Sequence, residues 1–299
     1  MNVLMRGLDL SKWQGINVNF KSIKNSGYSF VIIRVNDWDS INHKSIKDAR
    51  FEEYYKGATE AGLHVGCYWF TFANTLEYAK QEAEQWLKWT EGKRFDMPYY
   101  IDIERSEQFA QGKNFVTELA KIFCTTLEEA MKFIGIYCST YYFNYIDKSL
   151  RDRQAIWVAD YRDQCYYTGQ YGMWQSCTVK CNGVNNGNTD VDYDECYVDY
   201  PTEIKKRGRN GYSKETYLDM TDCYKYGQND VGILAIKTMI NQLYNAKFCD
   251  CYIKNVTQLY DDELNIQANK IIKKWGYSPN GKIGVNFVKK LCESVRGFK

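Results

Sequence analysis

Met97-Pro98-Tyr99-Tyr100-Ile101-Asp102-Ile103-Glu104-Arg105 is an apolar, aromatic stretch that ends in two carboxylates two positions apart. In a β-strand, residues i and i+2 project to the same face, so Asp102 and Glu104 would lie side by side. Repulsion and partial burial raise the pKa of one carboxyl in such a pair. This leaves a proton donor beside an anion, as glycoside hydrolysis requires. Taken alone, the pattern also fits a strand end whose acids are solvated or cap the next helix.

The length and composition fit one large globular domain and a small second one. Of the 299 residues, 44% are hydrophobic and 25% are charged, and only three are prolines, which argues against long extended linkers. The net charge of +2 lacks the basic excess of a nucleic-acid-binding protein. No stretch approaches 18 consecutive apolar residues, so we expect no stable membrane association.

Residues 1–7 contain no apolar signal-peptide core, so we expect synthesis in a cytoplasm without export by a signal peptide. The eleven cysteines are then expected to be free, buried thiols, and an odd number cannot all pair. With only two histidines in the chain, the close cysteine pairs match no zinc-site spacing. We therefore predict neither a metal nor a cofactor.

Short β-type runs alternate with amphipathic helical segments as far as about residue 200. This alternation is typical of βαβ units and a parallel sheet. It predicts an α/β fold: an irregular, TIM-like (β/α) barrel with a small C-terminal helical domain. Strands are predicted at residues 7–10, 29–35, 65–70, 97–105, 134–138, 155–159, 172–176 and 189–193. Helices are predicted at 20–26, 49–61, 76–90, 114–132 and in a tyrosine-rich segment up to 150, and a polar loop at 36–45.

In a barrel of this kind, ligands meet the carboxyl-terminal ends of the strands. Rings at those ends can stack on sugar faces while carboxylates act on one glycosidic bond. Each aromatic residue by itself could equally belong to the core, but their recurrence at equivalent strand ends favours a binding groove. The predicted groove residues are Asp9, Tyr68, Trp69, Asp102, Glu104, Tyr137, Trp157, Trp174, Gln175 and Asp192.

Several motifs in the same order and spacing carry a family resemblance. They are Gly7-Leu8-Asp9-Leu10-Ser11 with Trp13-Gln14-Gly15, Asp102-Ile103-Glu104, Trp157-Val158-Ala159 with Tyr161, Trp174-Gln175 and Val191-Asp192. Over about residues 5–200 the chain resembles glycoside hydrolase family 25, the Chalaropsis-type lysozymes common among phage endolysins and bacterial autolysins. The resemblance implies hydrolysis of the β-1,4 bond between N-acetylmuramic acid and N-acetylglucosamine in bacterial peptidoglycan.

The resemblance also implies roles for single residues. Glu104 would be the general acid, and Asp102 its anionic neighbour, which either attacks the sugar or steadies the acetamido group of the substrate. Asp9 and Asp192 match two further acids that line the groove of the family. Tyr68 and Tyr137 match groove tyrosines of the family. Trp69, Trp157, Trp174 and Gln175 are predicted substrate contacts because of their places at the strand ends.

Two segments depart from the pattern of the family. Tyr68-Trp69-Phe70 stands where the family usually has Tyr-His-Phe. Arg34-Val35-Asn36-Asp37-Trp38 replaces the usual Lys-Ala-x-Glu-Gly, so Asp37 is one candidate for that acid. These departures leave the substrate contacts near both segments open.

The sequence changes character beyond residue 200. The basic stretch at 205–211 is predicted to belong to a solvated linker, 201–229, or to contact anionic wall polymers. Helical patterns at 231–244, 262–275 and 285–295 predict a compact domain over 230–299. This domain resembles the peptidoglycan-binding type 1 module, which implies wall binding. A domain that packs on the barrel or self-associates is the alternative.

Three functions remain in competition. The first is a muramidase, expected to be a phage endolysin made in the host cytoplasm and acting on the cell wall after release. The second is a chitinase-like barrel glycosidase, which would need an acid two residues before Asp102, where Tyr100 stands. The third is a wall protein that binds without catalysis, and the joint presence of Asp9, Asp102, Glu104 and Asp192 argues against it.

Overall fold

The computed structural model describes residues 2–213 and 223–297 of the chain. The chain divides into two compact units, Met1–Lys214 and Glu215–Lys299. Eight strands of the first unit form a closed barrel in the order β1-β10-β9-β8-β7-β6-β5-β2, which confirms the predicted α/β barrel. The first unit has ten strands among its described residues, and β3 and β4 form a separate hairpin outside the barrel. The strands are β1 (Met5–Leu10), β2 (Phe30–Arg34), β3 (Asn36–Asp39), β4 (Lys44–Lys47), β5 (His64–Phe70), β6 (Tyr99–Asp102), β7 (Ile134–Ser139), β8 (Ala155–Ala159), β9 (Met173–Lys180) and β10 (Asp190–Cys196). Its helices are α1 (Phe20–Asn25), α2 (Phe51–Ala61), α3 (Leu76–Trp89), α4 (Ser106–Phe109), α5 (Lys113–Glu129), α6 (Lys148–Arg151) and α7 (Tyr200–Arg207).

The direction of the last barrel strand corrects the expectation of a parallel sheet. Neighbouring strands are parallel from β1 through β2 and β5 to β9, whereas β10 runs antiparallel to both β9 and β1. The start of β10 therefore lies at the barrel edge where the other strands end. This places Asp192 directly opposite Asp9.

Two of the predicted connections also differ from the structure. The expected loop at 36–45 is largely the β3–β4 hairpin, in which Asn36 pairs with Lys47. The expected tyrosine-rich helix up to residue 150 is a 3-10 turn at Phe143–Tyr145 followed by the short α6. The longer helices begin and end near the predicted positions. For example, α2 ends before Gly62, which has a left-handed conformation, and the Thr75 side chain caps the start of α3.

Side chains alternate between two apolar clusters along the barrel strands, as the period of two requires. The cluster inside the barrel includes Ile32, Tyr68 and Trp157. The cluster between the sheet and the helices includes Ile33 and Trp69. Neighbours in sequence such as Tyr68 and Trp69 therefore serve opposite faces of the same strand.

The predicted linker from residue 201 is wrong over its first part, because α7 and the residues after it pack on the barrel. Tyr200 and Ile204 are buried with the inner cluster. Asn210 is fully buried, donates to the Met97 carbonyl at 3.1 Å and accepts from the Phe133 amide at 2.7 Å. These contacts cover the barrel edge at the start of β6 and β7. Residues 214–222 of the predicted linker lie outside the described residues.

The second unit has its own apolar core. Its helices α8 (Val231–Asn245), α9 (Asp262–Lys274) and α10 (Val285–Arg296) confirm the three helical patterns, and β11 (Cys223–Tyr224) pairs with β12 (Ile283–Gly284). The core is built largely from the predicted apolar stripes and includes Ile236, Ile240, Leu243, Leu264, Ile271, Phe287 and Leu291.

The ten cysteines whose side chains are described are free thiols, and most of them are buried. Within the described ranges, no helix has the length and apolar character needed to cross a membrane.

Candidate active site

Asp102 is the last residue of β6, and Glu104 lies two residues beyond it, so the strand is shorter than the predicted 97–105. Asp102 is 4% exposed, whereas Glu104 is open to solvent. Burial raises the pKa of Asp102 well above its usual range, and the charge of Glu104 adds to this effect. Burial also raises the pKa of Glu104, while the Arg34 guanidinium opposes the shift in both carboxyls. The pair therefore retains a proton at higher pH than free carboxyls do.

Asp9 is held by a chain of buried polar groups that crosses the barrel. The Tyr137 hydroxyl donates to Gln175 Oε1 at 2.8 Å, and Gln175 Nε2 donates to Asp9 Oδ2 at 2.7 Å. Burial raises the pKa of Asp9 well above its usual range, and the charge of Asp192 raises it further. The predicted residues Asp9, Tyr137, Gln175 and Asp192 are thus brought together by the structure.

Asp194 is an inner acid that the sequence analysis missed. It is fully buried and accepts from Trp157 Nε1 at 2.8 Å. Burial, and after it the charge of Asp9, raises the pKa of Asp194 well above its usual range. The alternation Asp190-x-Asp192-x-Asp194 was the available signal.

Asp192 lies at the mouth of the site. Its Oδ1 accepts from the Tyr161 hydroxyl at 2.9 Å, and the Tyr161 ring is about half exposed. Burial raises the pKa of Asp192, and the Tyr161 hydrogen bond opposes that rise. Tyr161 was quoted in the family motif but was not among the predicted site residues.

Trp157 forms the floor of the site. Its ring lies 4.4 Å from that of Tyr137 and 6.1 Å from that of Tyr68, centroid to centroid, and only 1% of the residue is exposed. Trp157 therefore supports Tyr68, Tyr137 and Asp194 from below. The prediction that it contacts substrate directly is wrong for the structure as it stands, because the rings above cover it.

Two other tryptophans predicted for the groove lie outside the barrel interior. Trp69 is fully buried beneath the helices, stacked on Trp89 with ring centroids 5.3 Å apart, so the prediction that it contacts substrate is wrong. Trp174 packs against the same outer cluster, and its Nε1 donates to the Asp160 carbonyl at 2.8 Å. The reason is the period of two: the strands point Tyr68 and Gln175 inward, and their neighbours Trp69 and Trp174 outward.

Arg34, at the end of β2, is the main cation near the acid pair. Its guanidinium carbon lies 4.7 Å from the centroid of the Phe70 ring, and Nε donates to the Asn36 carbonyl at 2.7 Å. Its charge lowers the pKa of Asp102 and of Glu104. Asp37, the candidate for the family acid in this segment, is ion-paired with Lys12.

The site therefore collects five carboxyls from β1, β6, β10 and the residues just after β6. Among the described residues, no group of three His, Cys, Asp or Glu is arranged to hold a metal ion. A partly protonated carboxyl pair at a solvent-open strand edge can donate a proton and stabilise a developing positive charge. This is the chemistry of acetal cleavage.

Residues 8–181 match the family profile described as glycosyl hydrolases family 25. The autolytic lysozyme of Clostridium acetobutylicum is 26% identical over 195 residues, which cover 63% of this chain and 55% of that protein. Lysozyme M1 of Streptomyces globisporus is 31% identical over 105 residues, which cover 34% of this chain and 33% of that protein. The match thus spans about half the length of the first relative and a third of the second.

A solved family 25 glycosyl hydrolase from Bacillus anthracis has a similar fold. The TM-score is 0.56 at 18% identity, over 70% of this chain and 94% of that one. This structural likeness shows the fold. The profile covers more than half of the chain and includes Asp9, near the end of β1, and Asp102, at the end of β6. The chain belongs to glycosyl hydrolases family 25.

Proposed function

We propose that this protein is a muramidase that hydrolyses the β-1,4 bond between N-acetylmuramic acid and N-acetylglucosamine in bacterial peptidoglycan. The observation that carries the proposal is the pair formed by buried Asp102 and solvent-open Glu104, both with raised pKa values. Membership in family 25 and the two lysozymes among the relatives support the same substrate.

In the proposed reaction, Glu104 donates its proton to the glycosidic oxygen as the bond from that oxygen to the sugar carbon breaks. Asp102, as an anion, stabilises the positive charge that develops on the sugar, either by attack or by orienting the acetamido group. Water then supplies the new hydroxyl group and returns a proton to Glu104. The Arg34 charge favours the ionised form of both carboxyls, so the assignment of the acid rests on the solvent-open position of Glu104.

Replacing Glu104 with Gln tests the proposal. The amide keeps the shape of the side chain but cannot donate the proton, so we expect the rate of lysis to fall by about a hundredfold to ten-thousandfold with the fold intact. Glu118→Gln is the matched control, because Glu118 lies on α5 with a 50% exposed side chain. If Glu104→Gln lysed walls within about threefold of wild type, Glu104 would not be the acid, since general acids contribute far more.

The products separate a muramidase from the alternative glycosidase and from amide-cleaving wall enzymes. We expect new reducing ends on muramic acid and no new amino groups, because a carboxylate pair cleaves acetals. Cleavage of chitin with wall left intact would favour the chitinase-like alternative. Free amino groups in the wall digest would contradict the assignment to a carboxylate-catalysed hydrolase.

We also propose that the second unit binds the cell wall. Its separate apolar core supports an independent module, and tethering would raise the concentration of the enzyme at its substrate. A fluorescent fusion of residues 215–299 should bind intact walls without lysing them, and residues 1–213 should cleave soluble fragments better than walls. A fusion that binds no wall but dimerises in light scattering would favour self-association.

A basic depression on the barrel is the proposed contact for anionic wall polymers. It measures ≈ 220 Å³ and is lined by Lys132, Arg153, Arg207 and Arg209, and Glu128 is the one acid among the described residues of that lining. Arg153→Gln should weaken binding to walls that carry phosphate polymers, whereas Lys121→Gln, on the exposed face of α5, should not. Equal binding to walls stripped of those polymers would contradict this contact.

The expected role as a phage endolysin, released from the host cytoplasm, stays a prediction of the sequence. Induced expression in the host should cause lysis only when a holin is coexpressed. Lysis without a holin would contradict it.

A further inference from the structure

A second depression lies beside the acid pair, between the β3–β4 hairpin and the segment that follows β5. Its volume is ≈ 490 Å³, and it is lined by Trp38, His43, Phe72, Asn74, Tyr78 and Arg105. Arg105 directly follows Glu104 in the chain. The guanidinium of Arg34, whose charge acts on both Asp102 and Glu104, lies 6.0 Å from the centroid of the Phe72 ring, so the depression adjoins the acid pair.

Aromatic rings form one wall of this depression. Trp38 stacks on Phe72 with centroids 4.7 Å apart and an interplanar angle of 21°, and Tyr78 meets Trp38 edge-on. The Tyr78 hydroxyl accepts from the backbone amide of Ser45 at 2.8 Å, which fixes the wall to the hairpin. All three rings are partly exposed, so they offer a preformed surface to a ligand.

Two guanidinium groups make the depression cationic. That of Arg105 lies 5.3 Å from the Phe72 centroid, and that of Arg34 lies 6.0 Å from the same ring. None of the described residues that line the depression is acidic. The nearest partner of Arg105 is Glu107 at 3.1 Å, a surface ion pair that an incoming carboxylate can replace at small cost.

The charge of this depression is opposite to that of the neighbouring catalytic groove. Five carboxyls make the groove unsuitable for an anion, whereas the depression offers a planar cation against aromatic faces. A guanidinium pairs well with carboxylates, and aromatic faces pack against flat amide groups. A ligand with both features is a short acidic peptide.

We propose that this depression binds the acidic stem peptide carried by the muramic acid next to the cleaved bond. The inference rests on the proposed muramidase function, because only then is a peptide-bearing sugar held beside Glu104. Arg105 would pair with a peptide carboxylate, and Trp38 would pack against the peptide backbone.

The test compares kcat/KM of the full-length enzyme on two soluble substrates: glycan fragments that carry stem peptides, and the same fragments after an amidase has removed them. Arg105→Gln should lower the ratio of the two values about tenfold, the loss of roughly one charge-assisted contact. Trp38→Leu should lower the same ratio, and Lys121→Gln is the control with an equal change of charge far from the depression. An unchanged ratio, or an equal loss on both substrates, would overturn the proposal.

A binding measurement keeps this inference separate from the proposed reaction. Calorimetric titration of an isolated stem tetrapeptide into full-length Glu104→Gln should show binding that the further change Arg105→Gln abolishes. Peptide binding without hydrolysis of either glycan by wild type would sink the muramidase proposal alone. Hydrolysis of both glycans without peptide binding would contradict only the proposal that the depression binds the stem peptide.

Discussion

Lys237 in the second unit and Asp102 in the barrel are both buried, but they differ in how far neighbouring groups offset their charge. In α8 of the second unit, Lys237 is fully buried, and its Nζ donates to Asp261 Oδ2 at 2.6 Å, the Asn255 carbonyl at 3.0 Å and Thr257 Oγ1 at 3.2 Å. All three donor positions of the ammonium group are used. The charge is therefore part of the packing of this unit.

Asp102 in the barrel is buried without such compensation. Among the residues that the structure describes, its Oδ1 has no hydrogen-bond partner, and its neighbour Glu104 carries the same charge. The pKa values of the two carboxyls reflect this difference. Burial acts to raise the pKa of Asp261, but the hydrogen bond from Lys237 outweighs burial, so the pKa is lowered. The pKa of Asp102 is raised well above its usual range. A buried charge with every partner in place serves structure, and one left without partners is a candidate for chemistry.

The largest effect on stability should come from breaking the compensated pair. Asp261→Asn leaves the Lys237 cation buried without its counter-charge, so we expect the second unit to lose about 3–5 kcal/mol of unfolding free energy. Denaturant unfolding of residues 215–299 measures this. Asp262→Asn, one position later and exposed, is the control. A loss below about 1 kcal/mol would mean that the pair is no stronger than a surface ion pair.

The uncompensated charge should behave in the opposite way. Because the folded-state pKa of Asp102 is raised above its unfolded value, its stabilising contribution is complete below the unfolded pKa, near 4, and is lost as pH rises through the folded pKa. Asp102→Asn should thus stabilise the barrel by about 0.5–2 kcal/mol at pH 7 while abolishing activity, with little gain at pH 4.

Denaturant unfolding at the two pH values checks this expectation, with exposed Asp163→Asn as the control. Destabilisation by Asp102→Asn at pH 7 would show that the Asp102 carboxylate is stabilised by partners in the folded barrel.

The smallest effect should come from removing the cation that partly compensates the pair. Arg34 lowers the pKa of both Asp102 and Glu104, so its loss raises both. Arg34→Gln should move the pH profile of kcat/KM toward alkaline pH by a few tenths to about one unit, and Arg34→Lys by less. Profiles on soluble glycan fragments measure this. A shift toward acid pH would contradict the assigned role of Arg34.

The acid pair could be predicted because a strand end with acids at i and i+2 fixes their common face without knowledge of the rest of the fold. The inward or outward direction of Trp69 and Trp174 could not, because both lie in strands with apolar residues on both faces. Asp194 and Arg34 could not be predicted as site residues, because only the closed barrel shows that these two strand residues lie at the candidate site. The three helices of the second unit were found because their periodicity is local.

The α7 segment shows a different limit. Its basic residues suggested a solvated linker, yet Pro201 stands in the first turn and Gly208 at the left-handed end, which are ordinary helix boundaries. Tyr200 and Ile204 lie one turn apart and form the buried face. The basic composition of this segment therefore led to a linker prediction although its periodicity is that of a helix. The burial of Asn210 could not be predicted, because its partners Met97 and Phe133 are distant in sequence.

The seam between β1 and β10 gives the site an unusual place in the folding of the chain. Asp9 comes from the first barrel strand and Asp192 and Asp194 from the last, and the Gln175–Asp9 hydrogen bond joins positions 166 residues apart. Contacts of such sequence separation form late, because loop closure must be completed before they contribute. A nascent chain therefore holds the acid pair of β6 long before it holds the groove around it. Catalytic competence should emerge only with ring closure, as the final event of barrel folding.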